Sequence, residues 1–375
     1  MNDLRHTYSD AIFHKRIVII GPTPPPLGGV SVHIKRVIAK LEQQNNTVYH
    51  INPEKLYRFN FLRIAPFKQC AQLWYLIKLC NIILYFRPHI IMYHAFCMRN
   101  SVPELMLLTK LKKIRLIIPF VLSLSKHKRG LSFRTNGPRI FLIEHDCRHL
   151  YQRTSKWKNW FSHYLKHTDQ LICIGNITHQ SYRDNGITVP QTVTIESAFL
   201  PPILAEEKAI CATYPQELFT FLNTHTPIIV INAFQLTLWQ GKDLYGIDQA
   251  IELIKSLKEL YSDIGLVMVL GSMGDEHYYQ VIMQRIQDYC LDTSVFIMQG
   301  QKELWPLLKY ATVFIRPTLS DGYSVSIEEA LYLGTPTVAS DVCKRPANTV
   351  LYKVSDIVDF TEKTKAAIRL RFATT

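Results

Sequence analysis

The sequence lacks the marks of several large classes of protein. Its eight cysteines form no CxxC pair and no regular spacing, which favours free thiols in a reducing compartment over a disulfide framework. Residues 1–15 are polar, without the apolar core of a signal peptide, and no run approaches the roughly 20 apolar residues of a spanning helix. Short repeats and low-complexity tracts are also missing. These absences predict a cytoplasmic globular protein, and 375 residues suffice for two domains.

Acidic residues are too few to balance the basic ones, so the chain carries a net charge of +13. The excess lies mainly in the first half, at 110–129 and 148–166, where aromatic residues alternate with lysines and arginines. An anionic membrane surface is one partner that fits this pattern, and a solvated basic face is the plain alternative. Nucleic acid gains no support, because the chain has no zinc pattern, RNP motif or basic zipper.

Strand and helix patterns alternate twice along the chain. The first alternation opens with the β-branched run 17–20, typical of a parallel strand buried on both faces, and continues through a Pro/Gly loop, a helix at 30–41 and a strand at 47–51. Further strands are predicted at 90–93, 140–143, 171–174 and 192–195, with helices at 67–86 and 157–167. The second alternation starts at 227–232 and adds helices at 247–261, 276–289 and 303–311, with strands at 265–270, 295–298 and 311–315.

This layout predicts an α/β protein with two Rossmann-like, doubly wound parallel-sheet domains that face each other across a cleft. The N-terminal domain is expected at 1–202, a linker at 203–226 and the C-terminal domain at 227–352. The last segment, 353–375, is expected to cross back to the N-terminal domain, although it is short for that role.

The segment 311–341 is the most informative part of the chain, because it combines a buried strand, a tight loop, a helix and a second short strand. Asp321 and Glu329 lie eight positions apart across the junction where the loop becomes the helix. The amides of Gly322, Tyr323, Ser324 and Val325 lie at the start of that helix, and a helix N-terminus attracts anions. Carboxylates accept hydrogen bonds from sugar hydroxyls, so the segment predicts a site for a phosphorylated, polyhydroxylated ligand.

This segment resembles the donor-binding signature of retaining glycosyltransferases of family four, which have the fold called GT-B. Their signature is Glu-x7-Glu followed by Ala and then Gly-Thr-Pro-Val-Val-Ala-Ser-Asp. The corresponding run here is Asp321-x7-Glu329-Ala330-x3-Gly334-Thr335-Pro336-Thr337-Val338-Ala339-Ser340-Asp341. The resemblance implies that 227–352 binds a nucleotide-sugar donor and that 1–202 receives the acceptor. It places Glu329 on the ribose, Asp321 on the donor sugar, and the amides of 322–325 on the diphosphate.

Both carboxylates also have a structural interpretation. Ser326-x-x-Glu329 fits a capping box, in which the Glu bonds the amide of the cap, although Ser324 is an equally good cap. Asp321 can serve as a turn residue beside Gly322, and it is one methylene shorter than the Glu of the family pattern.

The N-terminal half has two candidate sites at predicted strand ends. Gly28–Gly29 follows the first strand and permits close backbone approach to a ligand, but it is not a GxGxxG dinucleotide fingerprint. By resemblance, this loop and His33 face the donor phosphates and the acceptor, while His145 lies near the donor sugar, with Glu144 and Asp146 on the acceptor side. The alternatives are a plain turn at the glycines, a packed His33, and a loop His145 bonded to Asp146.

One departure from the family concerns the leaving group. The resemblance implies an Arg and a Lys just after the first strand of the C-terminal domain, where they neutralise the diphosphate. Here Gln235 falls near the Arg position and Tyr245 stands at the Lys position. Lys242 and Arg316 are the candidate replacements.

The resemblance therefore implies a retaining glycosyltransferase that moves a sugar from a nucleotide-diphosphate sugar to a glycan or lipid-linked acceptor in envelope or exopolysaccharide synthesis. No metal or other cofactor is expected, because the chain has no Asp-x-Asp run and the fold uses helix dipoles with Arg or Lys instead. Two alternatives stay open: a nucleotide-sugar epimerase, and a non-catalytic nucleotide-binding scaffold. The expected location is the cytoplasm, with docking on the inner face of the membrane.

Overall fold

The structure is a computed structural model that describes residues 9, 12–24, 29–53, 67–95, 102–112, 137–145, 148–197, 199–321 and 324–374. The chain divides into two compact units between Leu200 and Pro201. Each unit is built on a six-stranded parallel sheet with helices on its faces, which confirms the predicted α/β class.

The first unit has the strand order β2-β1-β3-β4-β5-β6. The strands are β1 (Arg16–Ile20), β2 (Thr47–Ile51), β3 (Ile90–Ala95), β4 (Arg139–Glu144), β5 (Gln170–Ile174) and β6 (Val193–Glu196). The helices are α1 (Gly29–Gln43), α2 (Phe67–Phe86), α3 (102–112), α4 (Arg148–Tyr151), α5 (Ser155–Leu165) and α6 (Asn176–Asp184). The predicted strands and helices of this half are confirmed to within a few residues.

Alternate residues of these strands enter two different cores. Val18, Ile91 and Leu142 pack with α2, α3 and α5 on one face of the sheet, whereas Ile19 and Ile143 pack with α1 on the other. The strands read as nearly continuous aliphatic runs because both faces are covered. This alternation also decides on which face each polar residue at the strand ends lies.

The second unit has the strand order β11-β10-β7-β12-β13-β14 and a separate two-stranded hairpin, β8–β9. The strands are β7 (Ile228–Ala233), β8 (Leu238–Trp239), β9 (Lys242–Asp243), β10 (Gly265–Leu270), β11 (Val295–Gln299), β12 (Val313–Arg316), β13 (Thr337–Ser340) and β14 (Val350–Tyr352). The helices are α7 (Glu207–Cys211), α8 (Gln216–Thr224), α9 (Ile247–Lys258), α10 (Glu276–Asp288), α11 (Trp305–Leu308), α12 (Val325–Tyr332) and α13 (Ile357–Thr374).

Residues 203–226, predicted to be a linker, are instead packed into the second unit. A 3-10 turn at Leu204–Glu206 leads into α7 and α8. Tyr214, Leu218 and Phe221 are buried against the face of the sheet that also holds Val230 and Phe314. The polar composition of the segment concealed these apolar positions, which recur at a helical spacing.

The last helix, α13, is a long element of the second unit. It packs against α9 and against β13 and β14, and its Phe360 is fully buried beside Tyr352, with ring centroids 4.5 Å apart. Among the described residues, no helix combines the length and apolar character needed to cross a bilayer.

Candidate active site

Three charged side chains meet where β12 and β13 end. The Oδ2 atom of Asp321 accepts a hydrogen bond from Nε of Arg316 at 3.1 Å and another from Nη1 of Arg345 at 2.7 Å. We call Arg316, Asp321 and Arg345 the arginine cluster. Both guanidinium groups are largely buried, with 11% of the Arg316 side chain and 1% of the Arg345 side chain exposed. Breaking one buried pair of this kind costs about 3–5 kcal/mol, so the two arginines hold Asp321 firmly in place.

The electrostatics of Asp321 follow from this pairing. Burial alone would raise the pKa of its carboxyl, but Arg316 and Arg345 outweigh that effect and hold the pKa below its ordinary value. Asp321 is therefore ionised at neutral pH. Two guanidinium groups and one carboxylate leave the arginine cluster with a net positive charge.

Arg316 is held by neighbours on adjacent strands. Its Nη1 atom donates to the backbone oxygen of Asn232 at 3.0 Å and to the Oδ1 atom of the same residue at 3.2 Å. The two residues are adjacent because β12 pairs with β7 in parallel register, and Ile315 lies opposite Ile231. The guanidinium also lies over the ring of Tyr245, 5.4 Å from its centroid. Tyr245 stands at the position of the family Lys. It therefore carries no charge itself but packs against the charged guanidinium of Arg316.

The helix beside the arginine cluster starts at Val325, with Ser324 as its N-cap. Ser326 therefore lies inside the first turn, and the capping box that would pair Ser326 with Glu329 does not match these helix bounds. The Oγ atoms of Ser324 and Ser326 are 3.0 Å apart. Glu329 is buried, and its charge adds to the rise in the pKa of Tyr214, after the larger effects of burial, Cys211 and Glu303. Its position near Tyr214 could not be predicted, because Tyr214 comes from the segment expected to be a linker.

Lys242, the other candidate cation, lies on the exposed side of the β8–β9 hairpin. No contact between its side chain and the arginine cluster is found in the described part of the chain. The adjacent Asp243 is buried, and its carboxylate accepts the amide hydrogens of Tyr245 and Gly246 at 2.8 and 3.0 Å. It thus caps the start of α9. Gln235 bonds to Thr237 and Ser272 at the end of β7.

A second polar group, which we call the histidine cluster, consists of His33, His94 and His145 in the first unit. Nδ1 of His94 and Nε2 of His145 share a hydrogen bond of 3.0 Å, and the ring of His33 lies edge-on to that of His145 at 5.0 Å. Within the described part of the chain, Nε2 of His94 is buried without a hydrogen-bond partner. Burial, followed by the charges of neighbouring histidines, lowers the pKa of His94 and of His145 well below the ordinary value. Both rings are therefore neutral at pH 7.

Glu144 does not join the histidine cluster. Because side chains alternate along β4, Glu144 enters the opposite core, where its Oε2 atom accepts the hydroxyl hydrogen of Tyr182 at 2.7 Å. Its side chain is fully buried. The sheet thus separates two of the predicted acceptor-side residues, with His33 on one face, beside the predicted catalytic His145, and Glu144 on the other.

Several predicted site residues lie outside the described residues: Gly28, Asp146, Gly322 and Tyr323. Gly29 is described as the exposed first residue of α1. Ser324 is buried and Val325 half-buried at the start of α12. In the described residues, no group of three or more His, Cys, Asp or Glu side chains is arranged to hold a metal ion.

Sequence reasoning missed two members of these groups. Arg345 follows β13 by five residues, and a strand end at this edge of the sheet was its only sequence signal. His94 stands in the otherwise apolar strand Ile90–Ala95, and a lone histidine in such a run near the strand end is a usable sign of a polar neighbour. Neither residue belongs to the signature.

Two units, each built on a six-stranded parallel sheet, are the architecture that the GT-B resemblance predicts. Residues 236–363 match the family model of the glycosyl transferases group 1, a range that contains Arg316, Asp321, Glu329 and Arg345. This match agrees with the predicted resemblance over residues 236–363. No curated protein matches the chain.

Solved structures agree in fold at low sequence identity. A glycosyltransferase from Rickettsia africae matches with a TM-score of 0.59 at 11% identity, over 96% of this chain and 92% of that one. A UDP-forming α,α-trehalose-phosphate synthase from Burkholderia xenovorans gives 0.57 at 12% identity, over 96% and 94%. HepE from Anabaena, in complex with UDP, gives 0.54 at 11% identity, over 94% and 90%. These likenesses show the fold alone, and they confirm the GT-B prediction.

Proposed function

We propose that the chain is a retaining glycosyltransferase that transfers a sugar from a nucleotide-diphosphate sugar to a glycan or lipid-linked acceptor. The observation that carries the proposal is the largely buried guanidinium of Arg316, which contacts Asp321 in the loop between β12 and α12. A buried cation beside a helix N-terminus favours an anion such as a diphosphate. The family match supports the reaction class, and the solved relatives that bind or form UDP support a nucleoside diphosphate as leaving group.

In the proposed mechanism the nucleotide binds to the second unit, with Glu329 on the ribose hydroxyls. Arg316 and the amides at the start of α12 stabilise the charge that develops on the diphosphate as the glycosidic bond breaks. The acceptor hydroxyl attacks the anomeric carbon from the face that the leaving group vacates and gives its proton to the departing diphosphate, so the configuration is retained without a protein nucleophile. A guanidinium supplies the positive charge at the diphosphate in this scheme, and we propose no metal or other cofactor.

We also propose, as part of this function, that the first unit docks on an anionic membrane surface. The support is α2, whose exposed stripe consists of Leu73, Trp74, Ile77, Leu84 and Tyr85. The helix contains no acidic residue, and Lys78 lies over the Trp74 ring at 5.4 Å from its centroid. Aromatic and aliphatic side chains next to lysines are typical of an interfacial helix.

Vesicle sedimentation tests the membrane proposal. The protein should sediment with vesicles that contain phosphatidylserine at low salt and less at high salt, because exposed charges are screened. W74S together with I77S should reduce binding, whereas V358S, an exposed apolar residue of the second unit, should not. Equal binding to neutral vesicles, or no binding at all, would contradict the proposal.

A transfer assay tests the enzyme function. Incubation with UDP-, GDP- or ADP-sugars and an acceptor extract should release one nucleoside diphosphate, and proton NMR should show the donor's anomeric configuration in the product. Conversion of free nucleotide sugar without any acceptor would indicate an epimerase instead.

A non-catalytic scaffold is the second candidate, because Gln235 and Tyr245 replace the basic pair of the family pattern. It predicts binding of a nucleoside diphosphate without turnover in the presence of every acceptor fraction. Turnover that R316Q abolishes would eliminate this candidate.

A further inference from the structure

The arginine cluster explains two departures from the family pattern at once: the Asp at 321 and the missing basic pair at 235 and 245. We propose that Arg316 is the diphosphate-binding cation, and that Asp321 and Arg345 are positioning residues that hold it, so that Asp321 does not contact the donor sugar. This inference rests on the proposed function and assigns the residues that carry it.

Two of the three guanidinium nitrogens of Arg316 are held by hydrogen bonds. Its Nε atom donates to Asp321 and its Nη1 atom to Asn232, at distances between 3.0 and 3.2 Å. The ring of Tyr245 supports the guanidinium plane. In the described part of the chain no hydrogen bond of Nη2 is found. A guanidinium anchored through two of its nitrogens is pre-organised to offer the third to a phosphate oxygen.

Arg345 differs from Arg316 because each of its nitrogens has a partner. Nε donates to the backbone oxygen of Ser340 at 3.1 Å, Nη1 to Asp321 at 2.7 Å, and Nη2 to the Oγ1 atom of Thr318 at 3.0 Å. With 1% of its side chain exposed, it has no free face for a ligand. Arg345 therefore connects the end of β13 to the loop after β12.

Asp321 lies between the two guanidinium groups and uses one oxygen for both. The Asp side chain is one methylene shorter than the Glu of the family pattern, so its carboxylate stays close to the loop and to the two cations. Its two guanidinium groups and one carboxylate give the cluster a net positive charge in a largely buried place. An uncompensated buried charge is unfavourable, and a bound diphosphate would neutralise it.

A double-mutant cycle between Asp321 and Arg316 tests the inference. Calorimetry would compare wild type, D321N, R316Q and D321N/R316Q for UDP, GDP and ADP, for the glucose conjugate of the nucleotide that binds, and for its parent nucleoside. We expect D321N to weaken the diphosphate and its glucose conjugate by the same factor, about tenfold, since one charged hydrogen bond is lost. In the R316Q background, D321N should have no further effect, because Asp321 acts through Arg316.

Two results would overturn the inference while leaving the proposed function intact. One is a D321N protein that binds the diphosphate normally and loses affinity only for the glucose conjugate, as a sugar contact requires. The other is an unchanged preference of R316Q for the diphosphate over the nucleoside, which would point to Lys242 or to the loop amides. A wild-type protein that binds no nucleoside diphosphate would overturn the proposed function itself.

Substitutions at Arg345 test the inference independently. R345M should weaken the diphosphate but not the parent nucleoside, and R345K, which keeps the charge but not the three-sided bonding, should recover only part of the loss. The melting temperature of each variant shows whether weaker binding comes from unfolding or from a displaced Arg316 guanidinium. If R345M does not fold, the isosteric D321N still tests the inference. K258Q, which removes a charge at the far end of α9, is the matched control. Equal losses for diphosphate and nucleoside in R345M would contradict a positioning role.

Discussion

The two units both bury polar side chains where their sheets end, yet burial has opposite electrostatic results in them. In the first unit, burial and neighbouring rings hold His94 and His145 neutral. In the second, Asp321 stays ionised because two guanidinium groups contact it at 3.1 and 2.7 Å. The difference shows that the partner, and not the depth of burial, decides whether a buried group keeps its charge.

Two buried carboxyl groups, those of Glu104 and Asp321, differ in the same way. Glu104 on α3 accepts a hydrogen bond from Tyr93 at 3.0 Å, and burial, its largest influence, raises its pKa to about 7. Asp321 is also buried, but its guanidinium partners lower its pKa. We therefore expect buried charge at the arginine cluster, and neutral polar groups at Glu104 and in the histidine cluster.

The largest expected effect comes from removing the cation of the arginine cluster. R316Q should lower kcat/KM for transfer at least about 100-fold, because a fixed positive charge at a developing anion contributes on that order. Steady-state kinetics with the preferred donor would measure it. K258Q should behave as wild type, and a small effect of R316Q beside a large effect of K242Q would assign the cation to the hairpin.

The pH dependence of the free energy of unfolding tests whether Glu104 is neutral in the folded protein. The folded-state pKa of Glu104 is raised from 4.5 to about 7, so its contribution is fully present below pH 4.5 and is lost as pH rises through about 7. Wild type should therefore lose up to about 3 kcal/mol of unfolding free energy over this window relative to E104Q. Urea denaturation of both proteins between pH 4.5 and pH 8 measures the difference. Parallel curves would show that Glu104 ionises normally in the folded state.

Glu329 should affect binding without affecting the fold. E329Q removes the charged acceptor proposed for the ribose hydroxyls, so nucleotide affinity should fall by about tenfold, while the melting temperature of the unliganded protein stays close to that of wild type. Calorimetry with the preferred nucleoside diphosphate gives the affinity. An unchanged affinity with a lower melting temperature would assign Glu329 to support of α12.

The smallest expected effect concerns the histidine cluster. H145A should lower transfer by several-fold more than it lowers donor affinity, since a neutral ring near the reacting sugar supplies orientation and hydrogen bonding but no charge. The comparison needs kcat and the donor dissociation constant of the same variant. Equal losses in both quantities would contradict a role for His145 in the transfer step.

Much of the fold could be predicted from the sequence, because parallel strands buried on both faces leave unbroken aliphatic runs. The strands at 17–20, 228–233 and 265–270 are of this kind. The hairpin β8–β9 was not predicted, and the two helices at 207–224 were predicted only as a linker with one short helix. Their sequences are polar, and their order comes from contacts with distant residues, such as the bond from the Tyr214 hydroxyl to the backbone of Glu303.

The candidate site was predictable in part for a similar reason. The signature places both residues by local spacing, Asp321 in the loop after β12 and Glu329 in the second turn of α12. Arg345 was missed because its contact with Asp321 depends on the pairing of β12 with β13, which spacing along the chain does not reveal. Glu144 was predicted beside His145, but alternation along β4 turns it to the opposite face.

Thermal shift with UDP, GDP, ADP and their parent nucleosides tests the central claim most directly, because a ligand that binds only the folded state raises its melting temperature. We expect one nucleoside diphosphate to raise the melting temperature, its parent nucleoside to raise it far less, and R316Q to remove the difference. No shift with any diphosphate, or an equal shift with nucleoside and diphosphate, would contradict it.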